Sequence, residues 1–143
     1  MATFKLMGRS HISQTVSVVV PTLNEVENVE PLVHQIMRSS PDCAEIIIVD
    51  DGSTDGTANE VARVGRRDPC VRLIQQANGG KAAALNNGLV QAKGDIVFTV
   101  DADTIVAPEA VGYLARHFYL DTERTLGAVA GVVRVGNRSR NLL

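Results

Sequence analysis

The sequence predicts an α/β fold in which a mostly parallel sheet carries helices on both faces. Three observations lead there. Short apolar runs recur along the chain, each is followed by a polar loop, and each loop leads into a stretch with apolar residues at helical spacing. Alternation of that kind specifies parallel strands joined by helical crossovers. With 143 residues the chain is long enough for one domain with a core.

Taken in order, Val16 to Val20 is the first strand, closed by Pro21. Asn28 is placed to cap the helix that follows, with Pro31 in its first turn. Val29, Leu32, Val33, Ile36 and Met37 then recur at helical spacing. Ile46 to Val49 is β-branched and continuous, as in a strand buried on both faces, and Asp50, Asp51, Gly52 and Ser53 end it. A helix through Ala58, Val61 and Ala62 precedes a third strand, Val71 to Ile74. Asn78-Gly79-Gly80 signals a turn. Ala82 to Ala92 reads as helix, with Leu85, Gly88, Leu89 and Ala92 on one face. Ile96 to Val100 is the fourth strand, ending at Asp101. Pro108 suits the start of a helix striped by Val111, Leu114, Ala115 and Phe118, and Gly127 to Val135 is a last β-rich stretch. The domain is expected over residues 16–143, with residues 1–15 as a flexible leader.

Composition excludes several functions. The formal net charge is -2, so a basic surface of nucleic-acid size is not expected. Aromatics make up 3% and Trp is absent, which argues against stacking platforms for single strands. Cys43 and Cys70 form no Cys-x-x-Cys pair and stand at strand entrances, so they are read as reduced thiols. His34 and His117 fall within helical stretches and are read as surface or packing residues. No run reaches the roughly 18 apolar residues of a membrane helix, and the first fourteen residues do not read as a signal peptide. The expected location is the cytoplasm, or the cytoplasmic face of a membrane if the chain is part of a longer protein.

Ligands of open parallel sheets bind beyond the carboxyl ends of the strands. There the sequence places Thr22, Asn24 and Glu25, then Asp50 and Asp51, then Asn78, Gly79, Gly80 and Lys81, and finally Asp101 and Asp103. Asp101-Ala102-Asp103 sets two carboxylates two residues apart, a pair whose repulsion a hard cation relieves; Mg²⁺ and Mn²⁺ take oxygen ligands and complete their shells with phosphate and water. Two solvated loop acids would leave the same pattern. Ser53, Thr54 or Asp55 can cap the next helix, which leaves the pair Asp50-Asp51 unexplained. A carboxylate such as Asp51 can accept hydrogen bonds from a base edge or ribose hydroxyls. Lys81 opens a helix, where its charge opposes the dipole unless an anion lies nearby, and the paired glycines before it could form an anion nest. A solvated lysine is the simpler alternative.

These four blocks, in order and spacing, resemble family 2 glycosyltransferases of the glycosyltransferase A fold, from about Val16 to the last residue. The resemblance implies the Rossmann-like, nucleotide-binding half of that fold. It implies Pro21 and Leu23 lining the nucleotide base with Glu25 beside it, Asp51 bonding a base that is usually uracil, and Asp50 supporting it. It further implies Lys81 reaching the nucleotide, Asp101 approaching the ribose, diphosphate or metal, and Asp103 holding the metal. The implied ligands are a UDP-sugar donor and Mn²⁺ or Mg²⁺, for inverting transfer to an acceptor hydroxyl. The stretch from Gly127 through Arg138 is similar to processive polysaccharide synthases of poly-N-acetylglucosamine, hyaluronan or chitin type. The family's catalytic base sits in a later Glu-Asp motif and its Gln-x-x-Arg-Trp motif later still; this sequence stops at Leu143 before either. The expectation is therefore a donor half whose catalytic base, acceptor side and membrane segments lie beyond it.

Two rivals remain. Val100-Asp101-Ala102-Asp103 also resembles the nucleophile motif of haloacid-dehalogenase-type phosphohydrolases, but that motif wants Thr or Val where Ile105 stands, and it follows a first strand. The other is a non-catalytic nucleotide-binding or assembly module, forming a homo-oligomer through an uncovered sheet edge. A dinucleotide-binding dehydrogenase is disfavoured because no Gly-x-Gly-x-x-Gly follows the first strand.

Overall fold

A computed structural model describes residues 15–40 and 43–132. Its elements run β1 (Val16–Thr22), α1 (Val26–Ser39), β2 (Cys43–Asp50), α2 (Thr57–Arg67), β3 (Val71–Gln75), α3 (Lys81–Gln91), β4 (Ile96–Thr99) and α4 (Ala110–Leu120). The four strands form one parallel sheet in the order β3-β2-β1-β4. The α/β architecture expected from the alternating pattern is the one observed.

The period of two along each strand sorts its side chains between two layers. Val16, Val18 and Val20 of β1 and Ile46 and Ile48 of β2 pack with Val29, Leu32, Val33 and Ile36 of α1, Val61 and Val64 of α2, and Val111 and Ala115 of α4. Val19, Ile47 and Val49 face the other way, onto Ala84 of α3. Both faces of β1 and β2 are thus covered, and this explains their uninterrupted β-branched runs. The chain builds outward from β1 to β2 and β3, then returns through α3 on the opposite face to lay β4 against the free side of β1. That reversal creates a switch point between β1 and β4.

Several details differ from expectation. Glu25, not Asn28, caps α1, and Pro31 lies inside the helix beyond its first turn; Asn28 instead donates its side-chain amide to Glu25 Oε2 at 2.6 Å. Met37 and Leu89 are exposed although each follows the apolar spacing of its helix. Both stand next to a buried position, at the edge of the stripe that the sheet can cover. Pro108 precedes α4, whose cap is Glu109. Within the expected last β-rich stretch, residues 127–132 form no strand; Val132 is 89% exposed and no ladder partner is present. β-branched residues favour a strand only where a neighbour offers hydrogen bonds and cover. Residues 133–135 lie outside the described residues.

Residues 1–14 of the expected leader also lie outside them, but its last residue, Thr15, is tied down. Its amide donates to Asp95 Oδ2 at 3.0 Å, and its carbonyl accepts from Ile96 N at 3.1 Å. The two cysteines are free thiols. Burial pushes the Cys43 thiol up to about 11, so it stays protonated at neutral pH. His34 and His117 are exposed. Among the described residues no helix is long and apolar enough to cross a membrane.

Candidate functional site

β1 outlasts β4. Their register ends at Val19↔Thr99, followed by one hydrogen bond from Val100 N to Val19 O. Alternate residues of β1 point to opposite neighbours, so the position of the missing N–H of Pro21 faces β4's side after β4 has ended. The proline therefore costs the sheet no ladder bond there. Beyond it the two chains diverge and leave a cleft of about 270 Å³. Its walls include Pro21, Leu23 and Glu25 from the β1–α1 segment, Asp51 from the end of β2, Lys81 at the start of α3, and Asp101 and Asp103 after β4. Seven of the eight residues to which the resemblance gives a role meet there. Thr22, Gly80, Ala84 and Ala102 complete it.

The eighth, Asp50, does not line the cleft. It is buried, and its carboxylate accepts the Ser53 amide at 3.1 Å, bracing the turn after β2. One of Ser53, Thr54 or Asp55 was expected to cap the helix that follows them. Instead they reach back to the loop after β1. The Asn24 amide donates to Ser53 Oγ at 2.8 Å, the Thr54 amide to Asn24 Oδ1 at 2.9 Å, and the Val26 amide to Asp55 Oδ2 at 3.1 Å. The Glu25 amide donates to Thr57 Oγ1 at 2.9 Å. The orphan amides at the start of α1 are thus satisfied in trans by the next loop. Only Asp55 also serves α2, accepting the Thr57 amide at 2.9 Å.

Asp51 is buried and heavily engaged. Oδ1 accepts from Gln76 Nε2 and Gly79 N, and Oδ2 accepts from Gly80 N, each at 2.8 Å. The expected anion nest of the paired glycines therefore exists, but it holds a carboxylate of the protein itself. The Gly79 amide, with Gln76 and Gly80, holds Asp51 below the usual carboxylate range against the opposing effect of burial. The side chain is consequently ionised and acceptor-only at neutral pH. Gln76 was missed in the sequence; the available signal was its place at the carboxyl end of β3, two residues before the Asn-Gly-Gly turn.

Lys81 Nζ lies 2.6 Å from Asp101 Oδ1, with both side chains half exposed. Its charge at the helix start is thus offset across the cleft by a carboxylate. Asp103 lies exposed on the same rim. Among the described residues no three His, Cys, Asp or Glu side chains gather into a metal cage. The donor set fits a hard cation that takes one or two carboxylates from the protein and the rest of its shell from phosphate and water. Asp101 and Asp103 are the residues that could hold it.

Comparison with known proteins points to one family. The family model for glycosyl transferase family 2 matches residues 17–141. A poly-beta-1,6-N-acetyl-D-glucosamine synthase of Staphylococcus aureus (strain COL) is 39% identical over 116 residues, covering 81% of this chain and 28% of that protein. The present chain therefore spans little more than a quarter of that relative's length. Among solved structures, a mannosyltransferase from Pyrobaculum calidifontis in complex with GDP-Man and Mn²⁺ superposes with a TM-score of 0.70 at 34% identity, covering 85% of this chain and 36% of that one. A glucosyl-3-phosphoglycerate synthase from Mycobacterium tuberculosis, in complex with Mn²⁺, UDP and glucosyl-3-phosphoglycerate, gives a TM-score of 0.63 at 29% identity, covering 75% and 40%. With a strand-end cleft of this composition and a family match over most of its length, the chain belongs to glycosyltransferase family 2.

Proposed function

We propose that this chain binds a nucleoside diphosphate sugar, with UDP as the carrier, together with Mn²⁺ or Mg²⁺, as the donor for inverting glycosyl transfer to an acceptor hydroxyl. The observation that carries the proposal is the convergence of Asp51, Lys81, Asp101 and Asp103 on one cleft at the β1–β4 switch point. Pro21 and Leu23 offer apolar cover for a base whose ring N–H meets Asp51. Lys81 turns from Asp101 to the diphosphate when the ligand enters. Asp103, with Asp101, holds the metal, which when bound would neutralise charge on the departing diphosphate. The staphylococcal relative supports a place among polysaccharide synthases, and its greater length supports an acceptor side supplied by segments other than these.

Calorimetric titration with UDP, with and without Mn²⁺, tests the proposal. Wild-type protein is expected to bind UDP with Mn²⁺ and much more weakly without it. Asp103→Ala should lose the metal-dependent part. Absence of UDP binding in both conditions, or metal-dependent binding that survives Asp103→Ala, would overturn the assignment.

A further inference from the structure

Asp51 lies at the end of a chain of side-chain amides that runs away from the cleft along α3. Gln91 Nε2 donates to Asn87 Oδ1 at 2.8 Å. Asn87 Nδ2 donates to Gln76 Oε1 at 2.9 Å. Gln76 Nε2 donates to Asp51 Oδ1 at 2.8 Å. All four side chains are partly or fully buried. Neither Asn87 nor Gln91 lines the cleft.

The chain has one direction. Asn87 and Gln76 each give their NH₂ forward and present their carbonyl to the donor behind, so reversing either sets like poles against each other. The fixed acceptor at the far end is the Asp51 carboxylate, and aligned amides strengthen one another toward it. An ionised carboxylate has about four acceptor positions. Gln76 and Gly79 take both on Oδ1, and Gly80 takes one on Oδ2. Among the described residues nothing else bonds Oδ2, which leaves one position on it for a ligand. Uracil presents a ring N–H to such an acceptor, whereas cytosine in the same pose presents a ring nitrogen lone pair.

We propose that Gln76, Asn87 and Gln91 are positioning residues that fix the Asp51 carboxylate with a single outward acceptor and thereby set the preference for a base bearing a ring N–H. This inference rests on the assignment of Asp51 to the base. The three amides touch no ligand; they act through Asp51.

The test compares binding of UDP and CDP, each with Mn²⁺, to wild-type protein, Asn87→Asp, Gln76→Met and Gln91→Leu. Asn87→Asp keeps the shape but cannot donate, so Gln76 has a carboxylate on either side and only one NH₂ group to share between them, and its hold on Asp51 weakens. UDP affinity is expected to fall roughly tenfold, the scale of one unsatisfied buried hydrogen bond, with CDP affected less. The UDP-over-CDP ratio should therefore fall in Asn87→Asp and Gln76→Met, and less in Gln91→Leu at the end of the chain. The acid limb of UDP binding should also move to higher pH in the first two, because Asp51 loses a donor to its charged form. A role confined to packing would lower the melting temperature and leave both the ratio and the acid limb in place, and that result overturns the inference while leaving the donor site intact. Failure of wild-type protein to bind UDP overturns both.

Discussion

A Cβ placed on Gly88 would lie 2.4 Å from Val19 Cγ1 and 3.1 Å from Val49 Cγ2. Gly88 is therefore a point of close approach of α3 to β1 and β2, with Ala84 one turn before it. Both valines are fully buried and β-branched, so neither can rotate away. Gly88→Ala should force α3 outward and cost roughly 1–3 kcal/mol, despite the gain in helix propensity. The measurement is the urea midpoint, with Gly127→Ala as control because nothing lies within 4 Å of that position. A midpoint equal to wild type would mean that α3 does not pack as described. The same displacement would carry Lys81 and the Gly79-Gly80 turn with it, so UDP binding should weaken in parallel. Gly52 serves the cleft differently: at φ +83 it makes the turn after Asp51 in a conformation that side chains resist.

At the scale of elements, the opposite end of the sheet is held by a charge cluster. Glu45 on β2 accepts Ser17 Oγ at 2.8 Å and the Lys93 amide at 2.6 Å, and it faces Arg72 of β3 at 3.3 Å. Three strands and the α3–β4 connection meet at this carboxylate. Burial pushes its pKa up, but the bonds from Lys93 and Ser17 and the charges of Arg72 and Lys93 outweigh burial and hold it below its ordinary value of 4.5. A carboxylate so depressed stabilises the fold fully above about pH 4.5, and the contribution is lost as the pH falls through its folded pKa. The stability gap between wild type and Glu45→Gln should accordingly be present at pH 7 and close as the pH falls below 4.5 and through the lowered folded pKa of Glu45. A gap that is constant with pH would show that the charge of Glu45 contributes nothing. Neither this cluster nor the interlock of Asn24 with Ser53 and Thr54 was legible in the sequence. Periodicity reports what an element buries, and it located all eight described helices and strands. It does not report which loop a polar side chain will meet, so Ser53 and Asp55 were assigned to the helix beside them rather than to α1. The polar cleft residues were legible because the topology rule selects strand ends, and a carboxylate at a strand end is a short-range pattern; Pro21 and Leu23 followed only from the family resemblance. Gln76 and Asn87 were not, because their role is defined by a partner 25 residues earlier for Gln76 and 11 residues earlier for Asn87.

Across the whole molecule, the cleft draws one wall from each of four strand-to-helix connections, while most of the core lies between the sheet and its helices. A donor bound there touches segments that the core alone does not tie to one another, and the unfolded chain offers no equivalent site. Ligand binding should therefore appear as added stability. At a ligand concentration of 100 times Kd the gain is about 2.7 kcal/mol, and for a chain of this size that raises the melting temperature on the order of 8 °C. UDP with Mn²⁺ should produce this shift, and Mn²⁺ alone should produce little, because Asp101 and Asp103 supply only part of a coordination shell. Asp103 is exposed, so Asp103→Ala should melt close to wild type without ligand and fail to respond to UDP with Mn²⁺. Differential scanning fluorimetry across these conditions separates the outcomes. An equal shift with Mn²⁺ alone would place a complete metal site in the chain, contrary to the donor set. An equal shift in Asp103→Ala would place the metal, or the nucleotide, outside the cleft between β1 and β4.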